Sequence, residues 1–337
     1  MSRYFYLVPK GRVRWKQGEP LHRFLVRLLR ERRHQRPVGG VKVIYQHCGI
    51  LCDHGIEAFA VHVGGRFQVD WFPHSVPVLS EAQALRLVRP GDVLVCPEIV
   101  PERAVAFPCR RRVLFIQGLQ AARLGLQRVP SYRDAGLTEV LVCSRFLGEF
   151  AVRHSDLPCV RVRNGIDLGF FRPEPLARVP GSVFYLGRKD VLEARAAIAL
   201  LPASVRETSE FVELQHSCSQ QEMVRHYQAA DVFMPVSRTE GFGLPPLEAM
   251  ACGCAVVGYT GGGGDEFMHD GGTALVAADG DTQGLARQLS RVLTDPAVRE
   301  RVRAGGAAIA QEYGLDGMAE DLMAWVGRLA ETEPGHE

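Results

Sequence analysis

Short apolar runs of strand composition alternate along the chain with longer stretches in which apolar residues recur every three or four positions. The first run is "YFYLVP" (Tyr4 to Pro9). After a polar, basic stretch, Val41, Ile44, Cys48 and Leu51 fall at helical steps, which predicts a helix from about Val41 to His54, ended by Gly55. A strand at "VKVIYQ" is the alternative reading. Further strands are predicted at "IEAFAVHV", "DVLVCPE" (Asp92 to Glu98), "RVLFIQ" (Arg112 to Gln117) and "EVLVCS" (Glu139 to Ser144), alternating with helical "SEAQALRLV" and "SRFLGEFAVRH". Such alternation implies a parallel sheet with helices on both faces.

The second half repeats the pattern. "SVFYLGRKD" (Ser182 to Asp190) reads as strand then turn, "VLEARAAIALLP" as helix, "FVEL" as strand, "SQQEMVRHYQAA" as an amphipathic helix and "DVFMPVS" as strand. A turn-rich loop with a strand, then two helical segments to about Ala330, follow the stretch "RTEGFGLPPLEAMACGC" (Arg238 to Cys254). Turn residues and prolines cluster in "NGIDLGFFRPEPLARVPG", so the domains are expected to run 1–172 and 173–312. A length of 337 residues suits two domains better than one.

Composition adds class and compartment. With 46% hydrophobic and 23% charged residues and no run of about 18 apolar positions, the chain reads as a globular protein without a spanning helix. Its start lacks a secretory h-region, which predicts a cytoplasmic protein. Nine scattered cysteines with no pair of CxxC motifs read as reduced core thiols, neither a disulfide framework nor a zinc set. The net charge of +2 conceals an asymmetry: residues 1–172 hold 27 Lys+Arg against 14 Asp+Glu, or +13, and residues 173–337 hold 13 against 24, or −11. The basic half suits an anionic acceptor, membrane surface or nucleic acid.

The stretch from Arg238 carries the candidate chemistry. Pro245 and Pro246 suit a first helical turn and Gly253 the position after the last. Gly241 and Gly243 leave the preceding loop backbone uncovered beside a helix N-terminus, an arrangement that favours an anion. Glu240 on the loop and Glu248 one turn into the helix would repel that anion unless they face hydroxyl groups. Together they suggest a sugar nucleotide, with phosphates on the backbone and hydroxyls on the carboxylates. Taken singly, each glutamate also fits a dipole-stabilising or solvated charge.

Glu240 and Glu248, separated by seven residues in "EGFGLPPLEAMACGC", with "NGIDLGFFRP", "YLGRK", "ADVFMPVSR" and "GGGGDEFMHDGGTALV" in order, resemble the GT-B glycosyltransferases, specifically the retaining group called glycosyltransferase family 4. The resemblance is strong over the C-terminal half and looser before it, where "PVGGVKVIYQ" is similar to that family's glycine loop and helix. It implies two Rossmann-like domains with parallel sheets and an interdomain cleft, with a C-terminal helix at 313–330 crossing back to the first domain. The activity implied is retaining transfer, of hexosyltransferase type, from a nucleotide-sugar donor to a glycan, lipid-linked or other small acceptor, without a metal or other cofactor. By similarity Glu248 holds the ribose, Glu240 a hydroxyl of the transferred sugar, and the Gly241, Phe242, Gly243 and Leu244 backbone the diphosphate. Arg188 and Lys189 offset the charge on the leaving phosphate, with Arg195 a substitute for Lys189, since the family's lysine usually lies several residues beyond the arginine. Gly39 and Gly40 approach the diphosphate from the other domain, or form an ordinary turn. Gln117 faces the expected cleft, and the histidines at 47, 54, 62 and 74 fall in the acceptor half without marking a base.

Residues 10–36 hold ten Lys+Arg against Glu19 and Glu31. Leu21, Phe24, Leu25, Leu28 and Leu29 share one helical face there, which fits a peripheral helix on the anionic inner face of a membrane and equally a helix packed on the first domain. The rival readings are a GT-B phosphorylase or epimerase and a non-catalytic protein binding a sugar nucleotide or nucleic acid. The insert lacks the interleaved aromatics of single-strand binders, so no nucleic acid is expected.

Overall fold

The computed structural model describes residues 2–10, 34–65, 67–174 and 178–331. Most of the basic insert lies outside the described residues. Chain contacts divide the protein into two compact units, residues 1–142 with 150–160, and residues 143–149 with 161–337. No helix among the described residues is long and apolar enough to cross a membrane.

The first unit is built on a seven-stranded sheet of order β3-β2-β1-β4-β5-β6-β7. Its strands are β1 (Tyr4–Pro9), β2 (Ala58–Val63), β3 (Val78–Ser80), β4 (Val93–Pro97), β5 (Arg111–Ile116), β6 (Glu139–Val142) and β7 (Cys159–Arg161). β1 pairs parallel with both β2 and β4 and is buried throughout except at Pro9, the pattern of a central strand covered on two faces. The edge strands β3 and β7, three residues each, are too short to show a period in the sequence. Helix α1 (Gly39–Asp53) settles the ambiguity after β1: the segment is helical from the glycine pair onward, and "VKVIYQ" is not a strand. It buries Val43, Tyr45 and His47 as well as the expected stripe of Val41, Ile44, Cys48 and Leu51, so apolar residues fall on more than one face. Helices α2 (Glu81–Leu87), α3 (Leu119–Leu126) and α4 (Arg145–His154) follow. Ser80 and Gln83 form a reciprocal capping box at the start of α2.

The second unit holds a five-stranded sheet of order β12-β11-β10-β8-β9, from β8 (Val179–Leu186), β9 (Glu210–Leu214), β10 (Ala230–Phe233), β11 (Ala255–Gly258) and β12 (Leu275–Val276). Its neighbouring strands run parallel. Val183 and Tyr185, Val232 and Met234, and Ala255 and Val257 alternate onto one face. There they join residues of α5 (Val191–Ala199), α6 (Ala203–Glu207) and the later helices. On the other face Phe184 and Phe233 pack on Tyr227 of α7 (Gln220–Ala229). Beyond α8 (Leu244–Ala251), three helices follow β12, where two were expected: α9 (Thr282–Thr294), α10 (Pro296–Gln311) and α11 (Leu315–Glu331). The break comes at Asp295–Pro296. The Asp295 carboxylate accepts the N–H groups of Ala297 and Val298, and Pro296 needs no partner in the first turn.

Candidate functional site

In the second sheet β8 leaves β9 on one side and β10 on the other, so the strand order reverses beside β8. The carboxyl ends of strands at such a point are where open α/β sheets bind ligands. An open cleft of about 490 Å³ lies there, lined among others by Arg188 and Lys189 after β8, Ser237 and Glu240 after β10, Gly243 before α8 and Thr260 after β11. Every lining residue belongs to the second unit.

The Glu240 loop is held by backbone. Glu240 N–H donates to the Gly261 carbonyl at 2.8 Å and Gly263 N–H to the Glu240 carbonyl at 3.2 Å, a parallel bridge between two loops. A Cβ at Gly263 would stand 2.5 Å from the Gly241 carbonyl carbon and from Phe242 N, so the four-glycine run lets one backbone cross another. Behind the loop the buried Ser144 hydroxyl donates to the Gly241 carbonyl at 2.5 Å. Glu266 accepts Arg145 N–H at 2.5 Å and the Arg161 guanidinium at 2.9 Å. Gly243 starts α8 at φ +95°. Phe242 turns its ring inward against Phe267 and Tyr313. Among the described residues the N–H groups of Phe242, Gly243 and Leu244 donate no hydrogen bond. They are the donors an anion at this helix start would use. Of the four residues expected at the diphosphate, only Gly243 lines the cleft; Gly241, Phe242 and Leu244 adjoin it in sequence.

Arg188 and Lys189 both line the cleft, although adjacent side chains seldom share one site. The backbone provides the reason. Lys189 and Asp190 stand at φ 46° and 31°, left-handed values that non-glycine residues rarely adopt and that concentrate at functional sites. This turn brings the Lys189 ammonium to 2.6 Å from Glu240 Oε1. Arg188 makes no hydrogen bond or ion pair among the described residues, and its charge is felt at Tyr227 and Cys218. The substitute Arg195 is committed elsewhere, with two guanidinium nitrogens on the Glu213 carboxylate at 2.7 and 2.9 Å.

Glu248 sits on α8 at 8% exposure and does not line the cleft. The Tyr227 hydroxyl donates to its Oε2 at 3.4 Å. Burial first, and the Glu248 charge second, push the Tyr227 phenol well above its ordinary pKa, which keeps it a donor. Burial likewise raises the nearby Cys218 thiol to about 11.

The remaining expected residues lie in the first unit. Gly39 and Gly40 open α1. The Gly40 carbonyl accepts the Gln117 amide at 3.1 Å, and a Cβ at Gly40 would stand 3.3 Å from that amide nitrogen. Gly40 thus packs closely against the Gln117 side chain. Glu98, which the sequence did not single out, is buried at the end of β4 and accepts Gln117 N–H at 3.1 Å. Burial raises its carboxyl to about 7, against the opposing pull of the Gln117 and Gly118 N–H groups. The histidines are engaged within the unit. His47 is stacked on Phe115 and driven by burial to a pKa of about 3. His62 pairs with the Tyr45 hydroxyl at 2.7 Å, His54 with the Ile50 carbonyl at 2.8 Å and His74 with the Val69 carbonyl at 2.9 Å.

This fold is that of the GT-B glycosyltransferases. It aligns with sucrose-phosphate synthase from Thermosynechococcus elongatus at a TM-score of 0.70 and 17% identity, covering 99% of this chain and 100% of the other. With Anabaena HepE in complex with UDP-glucose the values are 0.72, 14%, 97% and 100%. Residues 201–308, which carry the Glu240 loop and α8, match the family model Glycosyl transferases group 1. Among curated proteins, the D-inositol 3-phosphate glycosyltransferase of Actinosynnema mirum is 30% identical over 50% of this chain and 51% of its own length. That of Streptomyces bingchenggensis is 32% identical over 32% of this chain and 24% of its own length. The matched region thus spans between a quarter and a half of these two relatives.

Proposed function

We propose that the protein is a glycosyltransferase that moves a sugar from a nucleotide-sugar donor to an acceptor hydroxyl, with retention at the anomeric carbon and no requirement for a metal. The observation that carries this reading is the meeting of Arg188, Lys189, Glu240 and the Gly243 helix start around one cleft at the switch point of the second sheet. The diphosphate lies against the uncovered N–H groups and the two cations, and Glu240 accepts a hydroxyl of the sugar. Glu248, buried beneath with Tyr227, holds the ribose hydroxyls once the nucleotide enters. As the bond from the anomeric carbon to the phosphate oxygen breaks, that oxygen keeps the electron pair. Arg188 and Lys189 stabilise the charge that grows there. The acceptor oxygen bonds to the same carbon on the same face, and its proton passes to the departing phosphate. The acceptor is a glycan, lipid-linked or other small hydroxyl compound taken by the first unit. Residues 10–36 bring the enzyme to an anionic membrane face, which liposome sedimentation tests by a preference for anionic over neutral lipid.

The test is a thermal-shift and turnover screen of the wild type and Glu248→Ala against UDP-, GDP-, dTDP- and ADP-sugars. UDP-glucose comes first, because a structural neighbour is described with it. A donor that stabilises the wild type and is hydrolysed slowly, with both effects lost in the variant, supports the reading. No response to any donor would sink it in favour of a non-catalytic protein. Proton NMR of the first-formed anomer tests retention, and undiminished turnover after EDTA tests metal independence.

A further inference from the structure

Asp190 stands at the N-cap of α5, a position where an aspartate ordinarily accepts N–H groups of its own helix, yet it makes no capping bond. Its carboxylate instead accepts the backbone N–H of Arg238 at 2.9 Å, in the loop that leads to Glu240. The Arg238 guanidinium pairs in turn with Glu193 in the first turn of α5. Glu193 Oε2 also accepts the hydroxyls of Tyr259, at 3.3 Å, and of Thr282. Gly280, at φ +85°, leaves room for the guanidinium, since a Cβ there would lie 3.3 Å from its central carbon. None of Asp190, Glu193 and Arg238 lines the cleft.

Two strained residues, Lys189 and Asp190, therefore sit between two ties to the same neighbouring loop. In the front tie Lys189 meets Glu240 inside the cleft; in the rear tie Asp190 and Glu193 clasp Arg238. A diphosphate entering the cleft competes for Lys189, so the front tie cannot hold the loops while substrate is bound. We propose that Arg238, clasped by Asp190 and Glu193, is a positioning residue that keeps the Arg188–Lys189 turn and the Glu240 loop in register when the Lys189–Glu240 pair opens. Its catalytic consequence rests on the transferase reading above; the tie itself does not. The Arg238 guanidinium also neutralises the Glu193 carboxylate, which would otherwise add negative potential behind an anion site.

The chain has only four lysines, so the side-chain ammonium NMR signal of Lys189 is assignable by Lys189→Arg. Glu240→Gln defines that signal when the front pair is absent. Arg238→Ala and the milder Asp190→Asn are expected to move the Lys189 signal toward that position, with Arg238→Lys restoring part of the difference. In turnover, Arg238→Ala should lower kcat by about ten- to a hundredfold with KM for the donor changed much less, because loosened loops lose near-attack geometry more than binding. A Lys189 signal unmoved in both Arg238→Ala and Asp190→Asn overturns the proposal. So does a moved signal with kcat within about twofold of wild type. If the wild type turns over no sugar nucleotide, the transferase reading falls, and the NMR comparison still decides the tie.

Discussion

Replacing Glu240 by Gln removes one charge from the cleft and nearly no volume. Its partner Lys189 is 51% exposed and Glu240 26%, so water screens the 2.6 Å pair. Such pairs contribute about 0.2 to 1 kcal/mol to folding. The melting temperature should fall by no more than about 2 to 4 °C. The effect on ligands is larger and has the opposite sign. In the free protein Lys189 is already neutralised; in the variant it is available to a diphosphate, which also no longer faces the carboxylate. At about 6 Å and an effective dielectric between 20 and 80, one unit charge acts on another with roughly 0.7 to 3 kcal/mol. A nucleoside diphosphate without its sugar should therefore bind Glu240→Gln about three- to a hundredfold more tightly than wild type. The gain should shrink at high salt. Turnover of the full donor should fall about tenfold or more, because a neutral amide is a weaker acceptor for the sugar hydroxyl than a carboxylate. Calorimetric titration with the diphosphate at low and high salt reads the first effect. Equal or weaker binding by the variant at low salt would refute the argument that Glu240 holds Lys189 in reserve.

Three further outcomes follow from named contacts. Lys189→Ala should weaken the same nucleoside diphosphate by about tenfold or more while Arg195→Ala leaves it within about twofold, because the Arg195 guanidinium is held by Glu213; parallel titrations compare them. Gly263→Ala places a methyl carbon 2.5 Å from the Gly241–Phe242 peptide and should destabilise the second unit by about 1 to 3 kcal/mol, with diphosphate affinity falling too, as denaturant unfolding and titration would reveal. Glu98, with a folded pKa raised to about 7, keeps its proton where the unfolded chain has lost it. Its contribution is therefore most favourable below about pH 4.5, declines as pH rises, and levels off above about 7, a change on the order of 3 kcal/mol. Glu98→Gln should flatten that decline, which urea unfolding from pH 4.5 to 8 would measure; an unchanged slope would show that burial does not govern this carboxyl.

Much of this molecule was legible one residue at a time. Apolar periodicity identified the central strands and the helices between them, and the prolines and glycines after Glu240 located the short α8. These signals are local, because a strand's alternation or a helix's first turn is decided within a few residues. The Asp295–Pro296 helix start was equally local and was passed over, so three terminal helices were expected as two. What no local signal contains is which charges meet. Lys189 and Arg195 have the same kind of claim on a phosphate in the sequence. The backbone turn at Lys189 sends one to Glu240, 51 positions away, while Arg195, further along α5, faces Glu213 across 18 positions. Ser144 supports Gly241 from 97 positions away. Glu98 became unusual only through burial beside the Gln117–Gly118 turn. Spacing along the chain determined the elements and the candidate motif. Strand order, which brings the ends of β8, β10 and β11 together, decided the partners, because Coulomb attraction and close packing act over a few ångströms of space whatever the distance along the chain.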